Sequence, residues 1–186
     1  IVRPAVKMDE FITTKCNSLR VAVVGPFLPG TQNYDWKLIS YCVKKLPQIE
    51  FVFIGSVDKF FKEKLDMKNS IFLGRVENYV EALSSCSVLL SPYPKSSHII
   101  GSKTKMLEAG ACQMPVITTP EGALGMPDNV IITCQNREEF IKKLQELNDD
   151  GIRGSIGKEF QKIVKIKYNA DVEIKKLIKV YEEFLN

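Results

Sequence analysis

Short apolar runs alternate with amphipathic segments along most of the chain. The runs are continuously apolar rather than alternating in polarity, which is typical of strands buried on both faces of a parallel sheet. The segments between them repeat apolar residues at helical spacing, as between 36 and 46. We therefore predict an α/β fold, a Rossmann-like doubly wound parallel sheet with helices on both faces. Predicted strands lie at 21–24, 51–54, 70–73, 87–90, 114–119 and 129–133, and predicted helices at 34–46, 58–65, 78–85, 102–113, 137–148 and 155–186.

The 186 residues are enough for one domain with its own core. We predict an interdomain linker at 1–20, a Rossmann-like domain at 21–154 and C-terminal helices of the same domain at 155–186. Gly151 and Gly154 are expected to break the helix before them, and a second break is expected at 168–170. Because the chain begins at Ile1 rather than at a methionine, we expect it to be a fragment of a longer protein.

Charge and cysteine content narrow the classes of function. The net charge is +4 and the pI about 8.7, and no basic motif with interleaved aromatic residues indicates nucleic-acid binding. The positive charge can reflect weak attraction to an anionic membrane surface. A lysine-rich face that is simply solvated is the commoner explanation of such a charge. The five cysteines lack metal-ligand spacing, so we predict free thiols in a reducing cytoplasm.

The sequence indicates neither a metal site nor a membrane span. His98 is the only histidine, which argues against a zinc site and against a Ser–His triad. No apolar run approaches the ~20 residues that cross a bilayer, and no signal peptide is visible. We predict a cytoplasmic location, and we leave open peripheral association with the inner face of the membrane.

The stretch 91–126 holds the densest set of candidate binding residues. It contains the end of a buried strand, a loop, a helix, a second short strand and a Gly/Pro turn at 120–125. In an open α/β sheet, ligands bind outside the carboxyl ends of the strands, and helix N-termini suit a phosphate. Lys103 and Lys105 would add to the helix dipole there, and Glu108 can accept hydrogen bonds from sugar hydroxyls. These residues suggest a site for a diphosphate joined to a hydroxylated sugar.

Strand-end loops are predicted to complete this site. Four of them would line one rim of the sheet: Gly25-Pro26, Gly55-Ser56, Gly74-Arg75 and Pro92-Tyr93. A glycine in such a loop has a simpler explanation, because it permits the turn after a strand. The charged candidates also have simpler explanations, since carboxylates and lysines are mostly surface residues. Arg75 can pair with Glu77 or Asp58, and Asp35 favours a helix start.

The segment 101–125 resembles the signature of the group 1, or family 4, retaining glycosyltransferases of the GT-B fold. Their C-terminal domain carries the pattern K-x-x-E-A-x-A-x-x-x-P-V-I-x-T, followed by a glycine turn. The segments FVFIGS, IFLGRV and VRPAVKMDEF also resemble that domain's second strand, third strand and hinge, so the likeness covers roughly 1–147. The pieces GPF, NYDWKLI and LSPYP are most similar to bacterial transferases of teichuronic-acid and polysaccharide synthesis. The residues that match the pattern are Lys105, Glu108, Ala109, Ala111, Pro115, Val116, Ile117 and Thr119.

The resemblance implies roles for individual residues. Glu108 would hold the ribose hydroxyls, backbone N–H groups of 101–104 would meet the diphosphate, and residues 74–76 would border the base. It assigns no catalytic residue and no metal ligand. The full set of residues predicted to bind the nucleotide sugar is Gly25, Pro26, Gly74, Arg75, Val76, Pro92, Tyr93, Gly101, Ser102, Lys103, Thr104, Lys105 and Glu108.

The resemblance also implies an activity. The domain at 21–154 would bind the donor in a glycosyltransferase that is hexosyltransferase-like and retaining. Such an enzyme transfers a sugar from a nucleoside diphosphate sugar to a glycan or lipid-linked acceptor, without a metal or a cofactor. The implied partners are the nucleotide sugar and an N-terminal acceptor-binding domain of the same full-length protein. The fragment by itself is expected to bind donor weakly and to catalyse nothing.

Two departures from the family pattern leave alternatives open. The family often has two glutamates eight positions apart, and the earlier position is Ile100 here. The family also often has an Arg and a Lys after the first strand; here Lys37 can replace one of them, but the Arg is absent. A non-catalytic GT-B-like module that binds a nucleotide sugar or a partner subunit is therefore an alternative. A sugar-nucleotide epimerase is another, and a dehydrogenase is disfavoured because no G-x-G-x-x-G follows the first strand.

Overall fold

The computed structural model describes residues 4–13, 16, 18–29, 34–95 and 103–185. Its strands are β1 (Arg20–Val24), β2 (Glu50–Ile54), β3 (Ser70–Gly74), β4 (Val88–Leu90), β5 (Val116–Thr118) and β6 (Ile131–Thr133). Its helices are α1 (Trp36–Lys45), α2 (Lys59–Leu65), α3 (Tyr79–Ser84), α4 (Thr104–Ala111), α5 (Pro120–Ala123), α6 (Arg137–Glu146), α7 (Asp150–Lys167) and α8 (Ala170–Leu185).

Within the described residues, six strands form one parallel sheet in the order β3-β2-β1-β4-β5-β6. The central strands are buried over almost their whole length, as strands covered on both faces must be. Helices α1, α2 and α6 pack on one face, where Phe51 and Phe53 are fully buried. Helices α3, α4 and α7 pack on the other face, around Met106 and Phe160. The predicted doubly wound α/β sheet is confirmed.

The strand order creates a crevice between β1 and β4. The connection after β1 leads to α1 on one face of the sheet, whereas the connection after β4 leads to α4 on the opposite face. Neighbouring connections that diverge in this way leave a gap outside the carboxyl ends of the two strands, where ligands of such sheets bind.

Side-chain caps explain where several helices begin. The carboxylate of Asp35 accepts the Leu38 N–H at 3.0 Å, so its predicted place at a helix start is confirmed. Asp58 and Asn78 cap α2 and α3 in the same way. Because α2 and α3 directly follow the loops of the sheet rim, these caps also set the direction in which each loop leaves its strand.

Two local predictions are wrong. The predicted Gly/Pro turn at 120–125 contains the short helix α5, which the Thr119 hydroxyl caps and which Pro120 opens. Gly151 and Gly154 do not break a helix but lie inside the first turns of α7, which begins at Asp150 with Asp149 as its cap. The break predicted at 168–170 is confirmed, since α7 ends at Lys167 and α8 begins at Ala170.

A residue near the start of the chain packs beside this break. Val6 is only 3% exposed, and its N–H donates to the Tyr168 carbonyl oxygen at 2.7 Å. The predicted linker is therefore anchored on the body of the domain at this point. Helix α8 keeps most of its apolar side chains exposed, including Phe184. Among the described residues, none of the helices has the length and apolar character to cross a bilayer.

Candidate functional site

Glycines end β1, β2 and β3, and two of them are required by geometry. Gly25 has φ +139°, and a Cβ there would lie 2.1 Å from the Tyr34 hydroxyl oxygen. Gly55 has φ +121°, and a Cβ there would lie 2.8 Å from the Gly25 carbonyl oxygen. The Gly25 N–H donates to Ile54 O at 3.0 Å and the Gly55 N–H donates to Gly74 O at 2.8 Å. Only glycine lets the three loops approach this closely.

These loops form one wall of a cleft of about 460 Å³. That volume falls in the range of small-molecule sites, roughly 300–1,000 Å³. The Arg75 side chain lies at its rim, where Nε donates to the Ser56 hydroxyl at 3.0 Å. Within the described residues, Arg75 forms no ion pair with Glu77 or Asp58. The lining residues are Val24, Gly25, Pro26, Ile54, Gly55, Ser56, Gly74, Arg75, Val76 and Tyr79, which include five of the predicted binding residues.

Tyr79 connects this cleft to Glu108. Tyr79 is the first residue of α3, directly after the Asn78 cap, and its hydroxyl donates to Glu108 Oε2 at 2.8 Å. Burial raises the pKa of the Glu108 carboxyl, and the Tyr79 hydrogen bond and the nearby Lys105 charge oppose that rise. Burial and the neighbouring carboxylate likewise raise the pKa of the Tyr79 hydroxyl. Tyr79 is therefore a firm hydrogen-bond donor, and the second carboxylate oxygen retains acceptor capacity for a ligand.

Lys105 lies at the floor of the crevice between β1 and β4. Its ammonium contacts the Tyr34 hydroxyl and lies 3.4 Å from the Val24 carbonyl oxygen. It also stands 3.9 Å from the centre of the Tyr34 ring and 5.1 Å from that of Tyr93. Burial lowers the pKa of Lys105 to about 7, against the attraction of Glu108. An anion bound in the crevice would restore a full positive charge to this amine.

Lys103 points away from the cleft. Its side chain is 3% exposed, and its ammonium donates to the Leu124 carbonyl oxygen at 2.9 Å. Burial lowers its pKa. Thr104 is exposed and opens α4. Lys103 thus tethers the start of α4 to the connection after β5.

Pro92 and Tyr93 lie behind the cleft rather than in its lining. The Pro92 carbonyl oxygen accepts the Asp35 N–H at 3.0 Å. The Tyr93 ring is buried beside the ammonium groups of Lys103 and Lys105, and burial raises the pKa of its hydroxyl to about 12. Tyr93 borders a separate cavity of about 400 Å³ at the ends of β4, β5 and β6. The predicted rim is thus divided between two cavities.

Some predicted positions fall outside the described residues, namely Gly101, Ser102, Ile100 and His98. Conversely, sequence reasoning missed Tyr79 and Tyr34. The sequence gives only a weak indication of Tyr79, because it is an aromatic residue directly after a helix cap and next to the predicted rim. Nothing in the sequence indicates that it pairs with a carboxylate 29 residues away. In the described part of the chain, no group of three or more His, Cys, Asp or Glu side chains is arranged to hold a metal ion.

The sheet order and the cleft define a Rossmann-like domain of the kind that forms one half of a GT-B fold. The family model described as "Glycosyl transferases group 1" matches residues 19–150, and the chain belongs to that family. Among curated proteins, no sequence matches the chain significantly.

Solved structures share this fold at low sequence identity. A variant of TarM from S. aureus, crystallised with UDP, fondaparinux and α-GlcNAc-glycerol, is 18% identical with a TM-score of 0.75; the match covers 97% of this chain and 38% of that one. HepE of Anabaena in complex with UDP-glucose is 12% identical with a TM-score of 0.78, over 98% of this chain and 57% of that one. The C-terminal domain of LpcC from Francisella tularensis is 20% identical with a TM-score of 0.66, over 89% of this chain and 99% of that domain. The chain thus spans about two fifths of TarM.

Proposed function

We propose that this chain is the donor-binding domain of a glycosyltransferase that transfers a sugar from a nucleoside diphosphate sugar to a glycan or lipid-linked acceptor. The observation that carries the proposal is the convergence of the glycine-walled cleft, the Tyr79–Glu108 pair and the Lys105 amine at the carboxyl edge of the sheet. We further propose a retaining, metal-independent reaction in bacterial polysaccharide synthesis, of the teichuronic-acid type, in the cytoplasm.

Each part of the ligand has a matching surface. The base would enter the cleft beside Gly74 and Val76, where the walls are mostly apolar backbone and aliphatic groups. The ribose hydroxyls would donate to the free acceptor sites of Glu108, while Tyr79 holds the carboxylate in place. The diphosphate would lie over the N-terminus of α4, where the helix dipole favours negative charge.

Lys105 would stabilise charge on the leaving diphosphate. Its amine lies at the floor of the crevice and is desolvated, so the negative charge of a bound diphosphate would favour its protonated form. Positive charge at the position where negative charge develops contributes strongly to transfer reactions. This role in binding would offset the free-energy cost of burying a lysine amine at this position.

Two comparisons support the ligand class. The TarM variant was crystallised with UDP and HepE with UDP-glucose, and both share this fold. We therefore propose uridine as the first base to test. The exposed apolar side chains of α8, such as Ile178 and Phe184, support a further packing partner, which we propose to be an N-terminal acceptor-binding domain.

Calorimetric titration of the chain with UDP and with 2′-deoxy-UDP tests the proposal. We expect UDP to bind and the loss of the 2′-hydroxyl to weaken binding by at least about tenfold, because a hydrogen bond to a charged group contributes about 1.5–3 kcal/mol. In Glu108→Gln the difference in affinity between UDP and 2′-deoxy-UDP should largely disappear, because the charged acceptor is gone. Exposed Glu138→Gln is the matched control and should retain the full loss of affinity on removal of the 2′-hydroxyl. Absence of UDP binding, or an equal loss of affinity for 2′-deoxy-UDP in Glu108→Gln, would refute the assignment.

One sequence observation favours a second candidate, a non-catalytic module that binds a nucleotide sugar without transfer. Ile100 stands where the family often has an acid that contacts the donor sugar. The two candidates differ in the activity of the full-length protein. Sugar transfer that disappears in Glu108→Ala would exclude the non-catalytic module, and UDP binding without any transfer would favour it.

A further inference from the structure

Helices α1 and α2 present a surface that the proposed nucleotide site does not use. They lie side by side on one face of the sheet, and Arg137 at the start of α6 borders them. A shallow groove of about 270 Å³ runs along α1 between Trp36 and Arg137. We name this surface the lysine–aromatic face and define it by Trp36, Lys37, Tyr41, Lys44, Lys45, Lys59, Phe60, Lys62, Lys64 and Arg137.

Helices α1 and α2 carry a dense cluster of positive charge. Together α1 and α2 carry six lysines and one glutamate, Glu63, a net charge of +5. The whole chain has a net charge of +4, so the rest of it carries a net charge of −1. The flanking carboxylates of Asp35 and Asp58 are engaged as helix caps. With these two carboxylates counted, α1, α2 and their N-caps still carry a net charge of +3, so the face is a basic patch.

The lysines of this face are not neutralised by carboxylates. None of them belongs to an ion pair formed among the described residues. Several lie against aromatic rings instead. Lys37 stands 5.8 Å from the Trp36 ring centre, and Lys64 stands 5.8 Å from that of Phe60. Ammonium groups held in this way remain available to an external anion.

The aromatic residues form a small exposed cluster. Phe60 is 49% exposed, and its ring meets Trp36 edge to face at 5.9 Å between centres. Phe61 packs against both rings in the same manner. A lysine ammonium thus stands over the Trp36 ring and another over the Phe60 ring, in the position that a stacked nucleobase would take.

We propose that the lysine–aromatic face docks on an anionic lipid bilayer. Lysines near such a surface are attracted to its negative charge, and Trp and Tyr side chains favour the boundary between headgroups and hydrocarbon. The proposal does not depend on nucleotide binding, because Gly25, Tyr79 and Glu108 lie outside this face.

The position of the only tryptophan makes the test direct. Trp36 lies on the face, so intrinsic fluorescence reports its own environment. We expect a blue shift when the chain meets vesicles of equal parts phosphatidylglycerol and phosphatidylcholine, no shift with pure phosphatidylcholine, and weaker binding at high salt. Phe60→Ser leaves the charge unchanged and should weaken binding to the vesicles, because it removes an exposed ring of the lysine–aromatic face.

A matched pair of triple variants isolates the face. Lys44→Gln/Lys45→Gln/Lys64→Gln should bind the anionic vesicles at least roughly tenfold more weakly. The control makes the same charge change at the exposed lysines 158, 162 and 165 of α7 and should bind nearly as the wild type does. Thermal unfolding verifies that each variant folds. Equal losses in both triple variants, vesicle binding without a change in Trp36 fluorescence, or tighter binding to a single-stranded oligonucleotide than to vesicles would each overturn the proposal.

Discussion

Replacing Lys105 by methionine tests whether the crevice floor holds a desolvated amine. Methionine keeps the length of the side chain and removes its titratable group. Burial lowers the pKa of Lys105 from the ordinary value of 10.5 to about 7. Because the folded pKa lies below the unfolded one, the unfolded state binds more protons than the folded state between pH 7 and 10.5. The free energy of unfolding therefore rises with pH across that window.

The size of the effect follows from the shift. At pH well above 7 the folded amine is neutral while the unfolded one is charged, so stability increases by about 1.4 kcal/mol per pH unit. Between pH 7 and 9 the gain is about 2 kcal/mol rather than the full value for two pH units, because half of the folded amine is still protonated at pH 7 and the slope there is only half as steep. Below pH 7 the cost of burying the charge is fully present. Lys105→Met lacks this pH dependence. The difference in the free energy of unfolding between the wild type and the variant should therefore rise by about 2 kcal/mol from pH 7 to pH 9.

Urea unfolding at pH 7 and pH 9, followed by Trp36 fluorescence, measures this difference. Tyr93 is common to both proteins, and burial raises its pKa to about 12, above the pH window of the comparison. The exposed lysine Lys142, changed to methionine, is the matched control and should give a difference that does not vary with pH. If the Lys105→Met difference is also constant from pH 7 to 9, the amine is solvated and charged in the folded protein, and the reasoning from burial is refuted.

Three further predictions concern packing and linkage. Gly157→Ala should lower the free energy of unfolding by roughly 1–3 kcal/mol, because its Cβ would lie 1.9 Å from the Gln113 carbonyl oxygen. Gly154→Ala in the same helix has open space around it and should raise the free energy of unfolding by about 0.5–1 kcal/mol. Urea unfolding compares the two variants, and equal effects would contradict the close contact at Gly157. Asn69→Ala should lower the free energy of unfolding by roughly 2–3 kcal/mol, because the two N–H groups of its buried amide are shared among three backbone carbonyl oxygens. A change below about 0.5 kcal/mol would show that water replaces those bonds. UDP binding at pH 8 should take up close to one proton when titrated in buffers of different ionisation enthalpy, and uptake that persists in Lys105→Met would exclude this amine as its source.

The framework of this fold was predictable because it rests on local patterns. Each predicted strand coincides with an observed one within a few residues, since a continuous apolar run can only be buried from both sides. Asp35 was a sound helix start for the same reason, because a cap depends on neighbours three residues away. The start of α7 was predicted at residue 155 instead of Asp150, because packing of the helix offsets the cost of its two early glycines.

The binding site was predictable only in part. The glycines after β1, β2 and β3 follow from the need of a parallel sheet to turn at one edge, and they do line one cleft. Pro92 and Tyr93 end a strand of the same sheet but lie behind that cleft, because the crevice between β1 and β4 separates their loops. Which strand ends share a cavity depends on strand order, and a sequence pattern does not state strand order.

By itself, the sequence determined the α/β class, the order of strands and helices, and Glu108 as a candidate acceptor for sugar hydroxyls. Only the tertiary structure decided which side chain holds that carboxylate and what the neighbouring lysine does. Tyr79 reaches Glu108 because α3 and α4 pack on the same face of the sheet, and Lys105 loses its solvent because Tyr34 and Tyr93 close over it. Both results depend on contacts between residues far apart in the chain. Periodicity and spacing carry information over only a few residues, whereas burial and charge depend on everything that the fold brings near.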